Sequence, residues 1–188
     1  MKTLYIKCSG QLPNVLMILL LSALLMLCTL TPLGTLADYS LIFLVGTYSV
    51  ATDSKGIYSI KLDTQTGLLS QPELVAESDN PAFLLYQASS KTLYAVNELE
   101  TGAVSVFQNQ GNSFTLVQQL AVDGMHPCHL NLVNEGKYLG VANYSSGNLS
   151  LLRRDKSGML DEGSLETVTH SGSSINAERQ EAPHAHWV

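Results

Sequence analysis

Apolar and polar residues alternate in short stretches along this chain, and these stretches recur at an interval of about 46 residues. The stretch at residues 94–97 returns at 140–143, and a glycine precedes the next stretch as Gly56, Gly102 and Gly147. Alternation of this kind is typical of a half-buried β-strand, and repeats of roughly 40–50 residues are typical of propeller blades. The pattern therefore predicts an all-β protein of the β-propeller type.

Turn residues divide the repeats into twelve predicted strands, which amount to three four-stranded antiparallel blades. The predicted strands are 41–45, 57–62 and 73–76 in the first copy; 82–87, 92–97, 103–108 and 114–120 in the second; 128–133, 138–143, 148–153 and 165–169 in the third; and 184–188 at the end. A propeller closes with about four to eight blades. We therefore expect a partial propeller, interpreted first as a truncated form, whose unfinished edges favour self-association.

The first 37 residues differ from the repeats. Lys2 and Lys7 precede an uncharged apolar run at residues 15–30, and small residues lead up to Ala37. This order predicts a secretory signal helix at residues 1–37, cleaved after Ala37, with the exported propeller portion at 38–188 (periplasmic or extracellular). An uncleaved anchor is the alternative, although this run is shorter than the ~20 residues that a membrane-spanning helix needs.

Cleavage there would change both the charge and the cysteine content. Loss of Lys2 and Lys7 leaves 8 basic residues against 16 acidic ones, a formal net charge of −8. An acidic domain without a basic stripe is a poor partner for nucleic acid. Cys128 would be the one remaining cysteine, so we expect no intramolecular disulfide, and no stable membrane association.

Outside the predicted strands, nearly every chemically capable residue falls on loops that the antiparallel order places on one face of the propeller. His184 and His186 are two residues apart on a predicted strand, so both side chains should point the same way, at a level similar to that of His129. A histidine can move protons near neutral pH, and the planar fork of Arg179 suits a carboxylate or phosphate. Glu98 and Glu181 could take a proton from water or orient an imidazole.

Other interpretations of these residues stay open. A histidine on an innermost strand can simply hydrogen-bond to neighbouring backbone, and Asn97 and Asn143 can be turn residues with positive φ. Cys128 can be a small buried hydrophobic residue. A His-x-His pair holds zinc only when further ligands converge on it, so neither a metal nor a cofactor is expected.

Three segments resemble the seven-bladed lactonase family, which includes bacterial propeller-type 6-phosphogluconolactonases and fungal carboxymuconate cyclases. They are residues 127–130, 141–147 and 179–186, the last with the sequence Arg-Gln-Glu-Ala-Pro-His-Ala-His. The resemblance implies about three blades of an expected seven and a hydrolase of a sugar lactone, with a small-molecule lactone as its partner. It implies catalytic roles for His129, His184, His186 and Glu98, and substrate binding by Arg179, Gln180, Glu181 and Asn143.

Two other functions remain as alternatives. One is a non-catalytic propeller segment that serves as a surface module for binding or assembly. The other is a lactonising cycloisomerase of the carboxymuconate type. Because the chain carries an export signal in this interpretation, an unphosphorylated lactone is a more suitable substrate than a phosphorylated cytosolic intermediate.

Overall fold

The computed structural model describes residues 39–188, which contain eleven strands in three antiparallel sheets and no helix. The strands are β1 (Ser40–Gly46), β2 (Gly56–Asp63), β3 (Glu73–Glu77), β4 (Leu84–Gln87), β5 (Thr92–Asn97), β6 (Ala103–Asn109), β7 (Phe114–Ala121), β8 (Pro127–Val133), β9 (Tyr138–Asn143), β10 (Asn148–Arg154) and β11 (Leu160–Thr169). The first sheet holds β1 to β3, the second β4 to β7 and the third β8 to β11, each in sequential order. The predicted partial propeller is confirmed.

Two apolar layers join the sheets. Ile57 and Val75 of the first sheet pack with Leu93 and Phe107 of the second, and partly buried Leu44 completes that layer. The other face of the second sheet packs on the third sheet through a larger layer. That layer contains Tyr94, Val96, Val104, Val106, Leu120, Val122, Leu130, Leu139, Val141, Leu152 and Leu160. Strand β5 is therefore buried on both faces, as a sheet stacked between two neighbours requires, and β9 of the third sheet is largely buried as well.

The passage from one sheet to the next uses equivalent turns. Asn80, with φ of 40°, precedes the second sheet, and His126, with φ of 52°, precedes the third. Asn and His are among the residues that tolerate positive φ best, and a proline follows each of them. Asn97 and Asn143 do not take this conformation; both are buried at strand ends.

Three strand predictions differ from the structure by more than one residue. β4 begins at Leu84 instead of Ala82. β11 begins at Leu160 instead of Leu165, because residues 160 and 161 pair with β10 beyond an irregularity in the register. The predicted strand at 184–188 is wrong: the segment forms no strand, because a strand needs a hydrogen-bonded neighbour and none of the described residues pairs with it. The predicted signal segment at 1–37 lies outside the described residues. Within residues 39–188, no helix has the length and apolar character needed to cross a membrane.

Candidate functional site

A cavity of about 570 Å³ opens where the loops of the three sheets meet. Its walls come from the ends of β1, β5 and β9, from the start of β8 and from the segment after β11. These are the loops that the sequence places on one face of the propeller. The lining residues are Gly46, Thr47, Tyr48, Ala82, Glu98, Cys128, Tyr144, Arg179 and His186.

Glu98 is held in this cavity by the neighbouring sheet. The hydroxyl of Tyr48 donates a hydrogen bond of 2.9 Å to Glu98 Oε2. This bond and the negative charge of Glu98 raise the pKa of Tyr48, with partial burial adding to the effect, because ionisation would remove the donor and place two anions together. Tyr48 therefore stays a hydroxyl that orients the carboxylate.

Asn80 fixes the backbone on both sides of that pair. Its side-chain oxygen accepts hydrogen bonds of 2.9 Å from the backbone N–H groups of Ser49 and Val50, and its Nδ2 donates to the carbonyl of Glu98 at 3.2 Å. One amide thus joins the loop that carries Tyr48 to the loop that carries Glu98.

Tyr144 gathers two of the predicted histidines. The ring of His184 stacks on it at a centroid distance of 4.5 Å, and the ring of His186 meets it edge to face at 5.9 Å. His184 is also held by contacts of its ring nitrogens with Glu181 Oε1 and with the carbonyl of Tyr144, each at 3.3 Å. Of these two histidines, His186 lines the cavity and His184 lies beside it.

His129 does not line the cavity. Its side chain is buried, stacked on Trp187 at 3.9 Å and packed against Phe83 at 4.4 Å, and its Nδ1 accepts a hydrogen bond from the backbone N–H of Val188. Burial, with a further contribution from the charge of His186, lowers the pKa of His129. His129 is therefore a neutral anchor for the segment at 184–188.

Of the four predicted substrate-binding residues, one lines the cavity and three do not. Arg179 lines the cavity. Asn143 is fully buried and donates from Nδ2 to Ser150 Oγ at 2.8 Å, while Gln180 uses its side-chain oxygen to accept from the backbone N–H of Asn176 at 3.2 Å. Glu181 is occupied with His184. Of the eight predicted site residues, the structure brings Glu98, Arg179 and His186 into one cavity.

The cavity also contains side chains that were not predicted as site residues. Tyr144 directly follows the repeated stretch at 140–143, which was the available signal, whereas Tyr48 lies two residues after the end of β1. Cys128 also lines it, and burial, followed by the charge of Glu98, raises the pKa of its thiol, so it stays protonated. In residues 39–188, no three His, Cys, Asp or Glu side chains come close enough to hold a metal ion.

Comparison with known proteins identifies the family of this chain. The family model "Lactonase, 7-bladed beta-propeller" matches residues 42–188. A protein of Bacillus subtilis (strain 168) named 6-phosphogluconolactonase is 33% identical over 147 residues, which are 77% of this chain and 41% of the relative. A 6-phosphogluconolactonase of Formosa agariphila is 29% identical over 150 residues, 76% of this chain and 41% of that relative.

Solved structures give the same result. One from Bacteroides fragilis NCTC 9343 superimposes with a TM-score of 0.70 at 33% identity, covering 80% of this chain and 42% of that one. The periplasmic gluconolactonase of Pseudomonas aeruginosa superimposes with a TM-score of 0.67 at 27% identity, covering 73% of this chain and 40% of that one. The chain thus spans about two fifths of the length of these relatives. The family model and the three stacked sheets agree that this chain belongs to the seven-bladed β-propeller lactonase family.

Proposed function

We propose that the cavity is the active site of a lactonase that hydrolyses a sugar lactone. The observation that carries the proposal is the convergence of Glu98, Arg179 and His186 on one cavity in a member of the lactonase family. The relatives named 6-phosphogluconolactonase and gluconolactonase support this reaction class.

In this proposal, the chemistry is addition of water to the lactone carbonyl. Glu98, oriented by Tyr48, takes a proton from a water molecule while the oxygen of that water bonds to the carbonyl carbon of the lactone. Arg179 donates to the carbonyl oxygen while that oxygen carries negative charge. The bond from the carbonyl carbon to the ring oxygen then breaks, His186 delivers a proton to that oxygen, and the product is an open-chain hydroxy acid.

The charge of the cavity favours an unphosphorylated lactone. Arg179 is the one Lys or Arg side chain among the residues lining the cavity, and Glu98 offsets its charge. A phosphate dianion is normally met by several charge-assisted donors. The likeness to a periplasmic gluconolactonase supports the same substrate class, and we propose that the protein is exported.

The test is hydrolysis of δ-gluconolactone by the purified chain, followed as acid release at constant pH after subtraction of the spontaneous rate. Glu98→Gln keeps an oxygen for Tyr48 and removes the base, so the catalysed rate should fall by about 10²–10⁴. The matched control is Glu162→Gln, since Glu162 is exposed on β11 and should leave the rate unchanged.

Each outcome of this test decides something. A 6-phosphogluconolactone substrate that is hydrolysed faster than gluconolactone would overturn the proposed substrate. A wild-type rate equal to the spontaneous rate with both lactones would overturn the enzymatic proposal in favour of a binding module. A rate that Glu98→Gln leaves unchanged would remove Glu98 from the mechanism.

A further inference from the structure

A second cavity, of about 300 Å³, lies between the first and second sheets. Its lining includes Ile42 near the start of β1, Lys61 near the end of β2 and Glu73 at the start of β3. The candidate site takes Gly46 and Thr47 from the other end of β1, and no residue lines both cavities. The second cavity is therefore separate from the candidate site, and it has the size of a small-molecule pocket.

The corresponding space between the second and third sheets is filled by the turn from β10 to β11. There Tyr94 donates to the carbonyl of Gly158 at 2.7 Å, and a Cβ on Gly158 would clash with the side chain of Thr92. Leu44 on β1 packs toward the second sheet as Tyr94 on β5 packs toward the third, but it has no hydroxyl. The turn from β6 to β7 packs less closely, because a Cβ on Gly111 would have no atom within 4 Å. The second cavity remains where this turn leaves the first sheet uncovered.

One part of this cavity is apolar and contains two aromatic rings. Leu44 and Val75 come from the first sheet, and Tyr86 and Phe114 come from the second. The two rings meet edge to face with their centroids 6.0 Å apart, and the hydroxyl of Tyr86 accepts a hydrogen bond of 3.1 Å from Asn109 Nδ2. Aromatic rings pack well on one another in edge-to-face and offset arrangements. This part of the cavity therefore suits the aromatic ring of a ligand.

The same cavity contains a cation and an anion that do not pair with each other. Glu73 lies opposite Ser59 in register, so Lys61 is its diagonal neighbour on the same face of the first sheet. Diagonal neighbours on two paired strands are about 7–8 Å apart. Among residues 39–188, neither the ammonium of Lys61 nor the carboxylate of Glu73 has an ion-pair or hydrogen-bond partner. A ligand that carries both charges on one carbon atom can meet both groups.

We propose that this cavity binds a free α-amino acid with an aromatic side chain. The ring packs beside Tyr86 and Phe114, the carboxylate of the ligand meets Lys61, and its ammonium group meets Glu73. A simple aromatic acid or amine suits the cavity less well, because it would cover one of the two charged groups without supplying an opposite charge. No residue of this cavity takes part in the proposed hydrolysis, so the two activities can be tested separately.

The first experiment compares phenylalanine with two analogues by nuclear magnetic resonance titration of the full chain, a method suited to weak binding. The analogue 3-phenylpropionate lacks the ammonium group, and 2-phenylethylamine lacks the carboxylate. Phenylalanine should bind with a dissociation constant of about 0.1–1 mM, as expected for a ligand of this size. Each analogue should bind about threefold more weakly or worse, because one ion pair is lost. Absence of phenylalanine binding, or equal binding of the three compounds, would overturn the proposal.

The second experiment assigns the binding to this cavity. Lys61→Gln and Glu73→Gln should each raise the dissociation constant of phenylalanine by about three- to tenfold. Lys61→Gln should not weaken binding of 2-phenylethylamine, and Glu73→Gln should not weaken binding of 3-phenylpropionate. The matched controls are Lys156→Gln and Glu77→Gln, since both residues are exposed and lie outside the cavity. Phenylalanine binding that the two cavity variants leave unchanged, or that the controls weaken equally, would refute this site, whatever the outcome of the lactonase assay.

Discussion

Tyr94 is the residue at which the structure makes its sharpest stability prediction. It is fully buried on β5, between the second and third sheets. Its hydroxyl donates to the carbonyl of Gly158 at 2.7 Å and accepts from Arg154 Nε at 2.6 Å. Burial raises its pKa against the opposing effect of the Arg154 guanidinium, so the group stays a neutral hydroxyl. The perturbation is Tyr94→Phe, which removes one oxygen atom and keeps the ring.

The magnitude follows from what the lost oxygen leaves behind. The guanidinium of Arg154 keeps its bonds to Ser90 and Gly136 but loses its Nε partner, and the Gly158 carbonyl loses its donor. A hydrogen bond to a charged group contributes about 1.5–3 kcal/mol, and a buried carbonyl left unsatisfied costs about 1–3 kcal/mol. Partial access of water to Arg154 reduces the sum. We expect Tyr94→Phe to lower the free energy of unfolding by about 2–4 kcal/mol.

Urea denaturation followed by far-ultraviolet circular dichroism measures this change, which should lower the midpoint by about 1–2 M. Tyr86→Phe is the matched control: Tyr86 is 41% exposed, and its hydroxyl accepts from Asn109 at the surface. That variant should stay within about 0.5 kcal/mol of wild type. If Tyr94→Phe costs no more than Tyr86→Phe, the buried bonds around Tyr94 contribute nothing net, and the reasoning fails.

Two further predictions concern the segment that carries His186. Gly147 has φ of 61°, and a Cβ there would clash with the carbonyl oxygen of Pro183, so Gly147→Ala should lower the free energy of unfolding by about 1–3 kcal/mol and lower the proposed lactonase activity. Gly67→Ala is the control: Gly67 has φ of 73°, and a Cβ there would have no atom within 4 Å, so this variant should show only the cost of the backbone conformation and unchanged activity. Equal losses of stability and of rate in the two variants would contradict the clash at Gly147. The pKa of His129 is lower in the folded protein than the 6.5 of the unfolded chain, so the unfolded chain binds the proton first as the pH falls. The contribution of His129 to the free energy of unfolding is therefore fully present above pH 6.5 and is lost as the pH falls from 6.5 toward the folded pKa. Urea midpoints between pH 7 and 5 should fall less steeply in His129→Phe than in wild type, and parallel slopes would contradict a neutral buried imidazole.

The strands could be predicted because their pattern comes from burial that repeats every blade. Strands β5 and β9 are rich in apolar residues because each is buried inside its sheet, and their predicted bounds match the structure. Residues 160–164 could not be recognised as strand, because they are largely polar and join β11 only through an irregular register with Arg153 and Arg154. The segment at 184–188 has the right alternation, but strand formation depends on a partner that alternation does not reveal.

The sequence predicts which loops form the candidate site, but not the position of every side chain in it. Strand direction places the loops that carry Glu98 and Arg179 on one face, and the structure has both residues in one cavity with His186. The depth of His129 was not predictable, because a register shift between Pro127 and His129 changes the side to which the following side chains point. The role of Asn80 was also hidden, since it depends on contacts with a loop 31 residues away.

The burial of Asn143 and Asn148 has a consequence for how this protein can be produced. Both asparagines begin an Asn-x-Ser triplet, the acceptor sequence for N-linked glycans. Asn143 is fully buried and Asn148 is 6% exposed, with its Nδ2 donating to the carbonyl of Asp123, so the folded chain cannot accommodate a sugar on either. A eukaryotic secretory host would attach oligosaccharides to the nascent polypeptide and block the closure of the third sheet. Expression in bacteria avoids that modification.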